Sequence, residues 1–318
     1  MERIKVCLLP LILTACTATP AQEAAQQAPL RIASLNPCSD AILAEVADPA
    51  QIAGLSSYSS DPASSSMDIA TARRFAALGD SVEEVAAVRP DLVLTTNFMA
   101  PASARALERM GMRLERVGMA PSVADSYAQI RQIARIAGHP ERGEALVRRI
   151  EAALAAAAPP PDAQPIPALV WQSGGMVPGQ DTMISQLLAR TGFANVAGDM
   201  GLKQADLLPL ERVLARPPQV ILTAGNLHGN EDRLLRHPAL ASLTGTARAR
   251  LDPSLLWCGG PTIVRAAERL AEVRRAMTRT TPQSPPLKRR GSISEAPSSS
   301  EEGVGGGGRP HNILGAAR

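Results

Sequence analysis

VEEVAAVRPDLVLTT (82–96) and, 128 residues further on, LERVLARPPQVILTA (210–224) carry the reading that decides the fold. Glu83 aligns with Glu211, Val85 with Val213, Ala87 with Ala215, Pro90 with Pro218, and Leu92-Val93-Leu94-Thr95 with Val220-Ile221-Leu222-Thr223. Each copy reads as a short helix, a proline that cannot continue it, and an apolar run without polar alternation. Such a run suits a strand covered on both faces of a parallel sheet. Two copies imply two α/β lobes of similar plan, each a doubly wound parallel sheet.

Outward from the repeat, further strands are expected at Arg31–Leu35, Ile52–Ser56, Leu92–Thr96 and Arg113–Val117 in the first half. In the second half they fall at Ala168–Gln172, Val220–Ala224 and near Arg250–Trp257. Helical stretches separate them at Asp40–Val46, Ala102–Met110, Thr182–Arg190, Asp232–Leu235 and Pro261–Met277. Between the halves lies HPERGEALVRRIEAALAAAAPPP (139–161), with Pro140 fit for a first turn and Leu146, Ile150 and Leu154 at i+4 spacing. A single stiff helix joining two lobes follows, with a cleft between them. The expected limits are an N-terminal lobe at 30–138, the joining helix at 139–161 and a C-terminal lobe at 162–277.

The two ends read differently. MERIKVCLLPLILTAC (1–16) has a basic start and an apolar run from Val6 to Leu13. As a helix that run rises only about 12 Å, well short of a hydrocarbon core roughly 30 Å thick, so it reads as a secretory signal over residues 1–15. Leu13-Thr14-Ala15-Cys16 resembles the bacterial lipobox, which implies acylation of Cys16, a polar tether over 16–29, and a periplasmic protein held to a membrane by its N-terminal lipid alone. Residues 278–318 have no apolar period and read as a disordered tail. The tail also explains the charge: residues 279–318 carry six Lys/Arg against three Asp/Glu, the whole of the net +3, and residues 1–278 carry 27 of each sign. A neutral body offers no basic face to nucleic acid.

Only seven aromatic residues are present, two Trp, two Tyr and three Phe. Tyr58, Phe98, Trp171 and Trp257 fall at or just beyond the carboxyl ends of expected strands, the edge where open α/β sheets bind ligands. Their neighbours are Ser, Gly and Asn rather than core residues, as in Trp257-Cys258-Gly259-Gly260. Beyond the signal and the acylated cysteine two thiols remain, Cys38 and Cys258. An oxidising compartment permits a disulfide, yet such a bridge would cross from the first lobe to the second, and two free thiols fit the sequence as well. His228, in the loop after the second repeat, and His139 and His237 lack metal-ligand spacing, so neither a metal nor a cofactor is expected. No nucleophile elbow, HExxH, Walker loop or dinucleotide fingerprint occurs; an exported α/β enzyme with an unusual site is the alternative reading.

RIASLNP (31–37), the SSYS turn (56–59), VRPDLV (88–93) and the stiff central helix together resemble the cobalamin and iron-siderophore class of substrate-binding proteins that serve ABC importers. The resemblance spans about Leu30 to Met277. It implies two lobes joined by one rigid helix, closing slightly on cobalamin, haem or a ferric siderophore, and delivering it to a permease with its ATPase. By the same resemblance the ligand contacts fall on Asn36, Tyr58, Phe98, Trp171 and Trp257, with Cys258 beside them. Glu83 and Glu211, one on each lobe, become docking points for permease arginines. One departure is visible: residues 61–80 lack the tryptophan that cobalamin binders often carry there.

Overall fold

The computed structural model describes residues 29–225 and 237–280. In the first half, strands β1 (Ile32–Ser34), β2 (Ile52–Ser56), β3 (Ala77–Leu78), β4 (Leu92–Thr95) and β5 (Arg113–Arg116) alternate with helices α1 (Pro37–Val46), α2 (Ile69–Ala72), α3 (Val82–Ala87), α4 (Pro101–Arg109) and α5 (Val123–Ile136). Helix α6 (Pro140–Ala157) follows. The second half begins with β6 (Ile166–Gln172), β7 (Met176–Val177), α7 (Met183–Arg190), β8 (Phe193–Asn195), α8 (Val196–Asp199) and β9 (Asp206–Leu207). It continues with α9 (Leu210–Ala215), β10 (Val220–Ala224), α10 (Pro238–Ala241), β11 (Ala247–Arg250), α11 (Ser254–Trp257) and α12 (Thr262–Thr280).

The repeat is realised in the topology. The first sheet has the order β3-β2-β1-β4-β5 and the second β11-β10-β6-β8. Read from equivalent strands, β2-β1-β4-β5 matches β8-β6-β10-β11, with every pair parallel. The repeated helix–proline–strand element supplies α3 with β4 and α9 with β10, each strand flanked on both sides within its sheet. The edge strands β5 (RLER) and β11 (ARAR) carry exposed charges, which discourages pairing with another chain.

VRPD has a structural reason. Arg89 adopts φ +46, a left-handed turn before Pro90. The Arg31 side chain donates to the carbonyls of Val88 (2.8 Å) and Arg89 (3.3 Å), and the Arg31 N–H donates to the Asp91 carboxylate (2.8 Å). The turn is thereby fastened to the start of β1, and the register of the two central strands with it. The backbone bond is common to both copies, Asp91 N–H to Arg31 O and Gln219 N–H to Pro167 O, each 2.9 Å, and the second copy has Gln219 at the Asp91 position.

Side chains alternate across both sheets. Ile32, Leu92 and Leu94 of the first sheet and Ala168, Val170, Val220 and Leu222 of the second belong to one buried cluster. Ala33 and Val93 face a separate small cluster, and Leu169, Trp171 and Ile221 a third. The shared cluster runs through Leu146, Val147, Ile150 and Leu154 of α6 and through Ile263, Ala267 and Leu270 of α12. Burial of each such aliphatic side chain contributes about 1.5–3 kcal/mol. Gly143 lets α5 and α6 approach closely: a Cβ there would sit 2.6 Å from the Ala134 Cβ. Arg142 pairs with Asp48 (2.8 Å) and Arg149 with Glu45 (2.9 Å), tying α6 to the first lobe. Arg274 of α12 donates to Ala158 O (3.1 Å) just beyond the end of α6.

Several expected elements differ from the structure. The strand placed near Arg250–Trp257 is shorter and earlier, β11, and Trp257 closes a one-turn helix, because Pro253 starts a turn that a strand cannot contain. Helix α5 and strands β3, β7, β8 and β9 were not expected, the strands being only two or three residues long. The expected helix at Asp232–Leu235, the signal, Cys16 and most of the tail lie outside the described residues. Among the described residues no helix is long and apolar enough to cross a membrane.

Candidate functional site

A cavity of about 930 Å³ opens where the carboxyl edges of the two sheets meet. The first half contributes the turns after β1, β2, β4 and β5, and the second half those after β6 and α11. Helices α1, α4 and α7 begin in its wall, at Asn36–Cys38, Ala100 and Thr182–Ile184. Helix starts present partial positive charge. The described lining residues include two carboxylates, Asp80 and Asp181, and no Lys, Arg or His.

Asn36, Tyr58, Phe98, Trp257 and Cys258 line this cavity. Asn36 caps α1, its side-chain oxygen accepting from Cys38 N–H at 2.8 Å, which leaves its amide NH₂ for other partners. Tyr58 is 53% exposed on the 3₁₀ turn after β2, Trp257 56% exposed, and Phe98 82% exposed at the rim. Large apolar rings left this open on a cavity wall are unusual for a chain with so few aromatics.

Trp171 does not join them. It is fully buried in the cluster with Leu169, Leu210, Val213 and Ile221, and its indole N–H has no hydrogen-bond partner. The reason is strand phase. β6 extends to Gln172, so residue 171 still alternates in step with Leu169 toward the outer face, and Gln172 takes the place on the cavity wall.

Four of the ten methionines, Met99, Met119, Met176 and Met183, also line the cavity and were missed in the sequence. Each stands within a few residues of a strand's carboxyl end or at a helix start, the same positional signal that singled out the aromatics. Thioether side chains are flexible and polarisable, so they fit irregular apolar surfaces.

Cys38 and Cys258 form a disulfide, Cα–Cα 5.0 Å, over a separation of 220 residues. The sequence left this open against two free thiols. The bridge joins the halves where they already touch: a Cβ on Gly260 would lie 2.7 Å from Ile42 Cγ1, and the Gly260 N–H donates to Ser126 Oγ at 2.7 Å. Thr262 Oγ1 donates to Ser66 O at 3.2 Å beside it.

Behind the wall, Asp40 is fully buried in α1. Its Oδ2 accepts from Ser56 N–H (2.9 Å) and Ser59 Oγ (2.6 Å), the two ends of the turn that carries Tyr58. Its Oδ1 has no partner. Burial pushes the Asp40 carboxyl up to about 8, against the opposing hydrogen bonds from Ser59 and Ser56. Asp40 has no access to the cavity, and its partners are hydroxyls and a backbone amide, so its role is to hold the turn.

His139 stands at the α5–α6 junction, 3.1 Å from Gln51 Oε1, and His237 caps α10; neither lines the cavity, and His228 is outside the described residues. Among the described residues no three His, Cys, Asp or Glu converge as a metal site. Glu83 and Glu211 are exposed in the first turns of α3 and α9 and do not line the cavity.

Two doubly wound lobes, a long helix between them and an apolar cavity at their facing edges define a two-lobed solute-binding protein. The chain belongs to the periplasmic binding protein family, whose model matches residues 32–251. Among solved structures, a periplasmic heme binding protein from Pseudomonas aeruginosa is 24% identical, with a TM-score of 0.61 over 77% of this chain and 92% of that one. The periplasmic heme binding protein HutB of Vibrio cholerae is 17% identical, TM-score 0.64, over 77% and 98%. The vitamin B12 binding protein BtuF of Vibrio cholerae is 18% identical, TM-score 0.59, over 79% and 98%. At these identities the likeness is one of fold. No curated protein sequence matches the chain.

The Asp40 carboxyl gives a pH signature. Its folded value is raised above the unfolded 3.8, so the native state binds more protons between about pH 4 and 8, and stability falls as pH rises through that window. Urea unfolding between pH 5 and 9 should show this decline. Asp40→Asn keeps the acceptor for Ser56 and Ser59 and carries no charge, so it should flatten the curve by about 1 kcal/mol or more. Equal slopes in the two proteins would assign the pH dependence elsewhere.

Proposed function

We propose that this protein is the substrate-binding component of an ABC importer, capturing a large, partly planar metal chelate and delivering it to the permease. The chelate is a corrinoid, a haem or a ferric siderophore. The observation that carries this reading is the composition of the cavity wall. Tyr58, Phe98 and Trp257 offer flat faces and four methionines offer adaptable apolar surface, while Asn36, Gln129, Gln172 and Gln204 are among the polar side chains set between them. Such a wall suits a macrocycle with apolar faces and polar groups at its edge. The heme and vitamin B12 binding proteins of like fold support the same ligand class. The ligand leaves chemically unchanged.

Titration of purified protein with cobalamin, haemin and a set of ferric siderophores should quench tryptophan fluorescence with one of them at micromolar concentration. Binding of a sugar or peptide in place of every chelate would overturn the ligand class.

Delivery rests on Glu83 and Glu211. They occupy one position in the repeat, at exposed helix starts of both lobes, and meet arginines of the permease, where charge pairs steer association and fix orientation. Glu83→Ala with Glu211→Ala should leave ligand affinity within about twofold while uptake falls sharply, more so at high salt. A parallel loss of affinity and uptake would make these residues structural instead.

The lipobox-like LTAC supports a periplasmic protein anchored by a lipid on Cys16. Cys16→Ser should leave a precursor that no longer partitions into detergent. A wild-type mature chain beginning beyond Cys16 would remove the anchor.

A further inference from the structure

Trp257 belongs to the second half of the chain, yet the residues that follow it are held by the first. Helix α11 has only four residues, of which Leu255 is buried, and a helix this short has little stability of its own. Immediately after it, Cys258 is bonded to Cys38 in the first turn of α1. Gly259 and Gly260 then press against α5 and α1: a Cβ on Gly259 would collide with Ser126 Oγ, and one on Gly260 with Ile42. Gly260 takes φ +63, a conformation that glycine tolerates freely.

The same turn of α1 also governs the other exposed ring. Asp40, two residues after Cys38, holds both ends of the turn that presents Tyr58. Both rings are therefore referenced to one helical turn, Tyr58 through hydrogen bonds and Trp257 through a covalent bond. Cys38 and Cys258 themselves stand in the cavity wall.

We propose that Cys38 and Cys258 are positioning residues for ligand binding: their bridge fixes Trp257 relative to Tyr58 and so presets the spacing of the aromatic walls. The proposal rests on the assignment of this cavity as the ligand site. Its consequence is preorganisation. With the bridge intact, binding a flat ligand does not have to order the Trp257 segment; without it, that ordering cost weakens affinity.

The test compares the full chain with Cys38→Ala/Cys258→Ala, and with wild type reduced by a phosphine under conditions where far-UV circular dichroism stays native. Acrylamide quenching and fluorescence anisotropy serve as readouts that need no ligand. Trp171 is fully buried, so the quenchable signal reports Trp257. Removal of the bridge should raise the quenching constant and lower the anisotropy, and should weaken binding of haemin or cyanocobalamin, whichever binds wild type, by about tenfold. Ser126→Ala is the control. It deletes the neighbouring hydrogen bond to Gly260 and should lower the melting temperature while leaving Trp257 quenching as in wild type. A purely structural bridge would behave like that control: Cys38→Ala/Cys258→Ala would melt earlier with unchanged quenching and anisotropy, and the proposal would be overturned. Failure of both probes to bind wild type would count against a haem or corrinoid ligand alone, and the quenching comparison would still decide the role of the bridge.

Discussion

The apolar stripe of α6 is the constraint on which the remaining architecture depends. Leu146, Val147, Ile150 and Leu154 do not belong to one lobe or the other; they fill the space between the inner faces of both sheets, together with α12. Because the two sheets share one interior behind the cavity, their carboxyl edges are held facing each other in front of it. A flexible linker would leave that alignment to the ligand. Here it is set by close-packed side chains, which resist small displacements. The ion pairs Arg142–Asp48 and Arg149–Glu45 are half exposed and contribute modestly; they orient the helix rather than hold it.

On this frame the cavity wall is assembled from turns, each fastened from behind. Asp40 holds the turn of Tyr58, Asn36 caps the helix that begins beside it, and the Cys38–Cys258 bridge secures the segment of Trp257. Buried polar groups are spent where a ring has to be kept out of the core. Trp171 is the opposite case. Its ring lies wholly inside, and the orphaned indole N–H, a cost of about 1–3 kcal/mol, is offset by the area the ring buries.

The fold was legible in the sequence because its signals are local and occur twice. The proline after α3 and α9, the apolar runs of β4 and β10, and the i+4 stripe of α6 each dictate their element without help from distant contacts. The short strands β3 and β8 were not legible, since two or three residues carry no period and pair only because a neighbour presents an edge. The site was legible to the extent that position relative to a strand end predicts exposure. That rule placed Tyr58 and Phe98 at the cavity, and failed for Trp171, which lies inside the strand one residue before its end and alternates toward the outer face. Trp257 reached the wall for a different reason from the expected one, through a helical turn instead of a strand. The disulfide could not be settled from sequence, because 220 residues of intervening chain say nothing about whether two thiols meet.

The repeat also has a consequence for the integrity of the chain. Two copies of a strand–helix unit would ordinarily be separable modules, each able to fold, be exchanged or be lost alone. Here the inner surface of each half is the missing wall of the other, and the closing helix α12 returns from the second half to pack on α6. Alone, each half would keep only the smaller cluster on the outer face of its sheet. Whatever their origin, the halves have given up autonomy, and cleavage between them would expose two incomplete cores where one complete core had been.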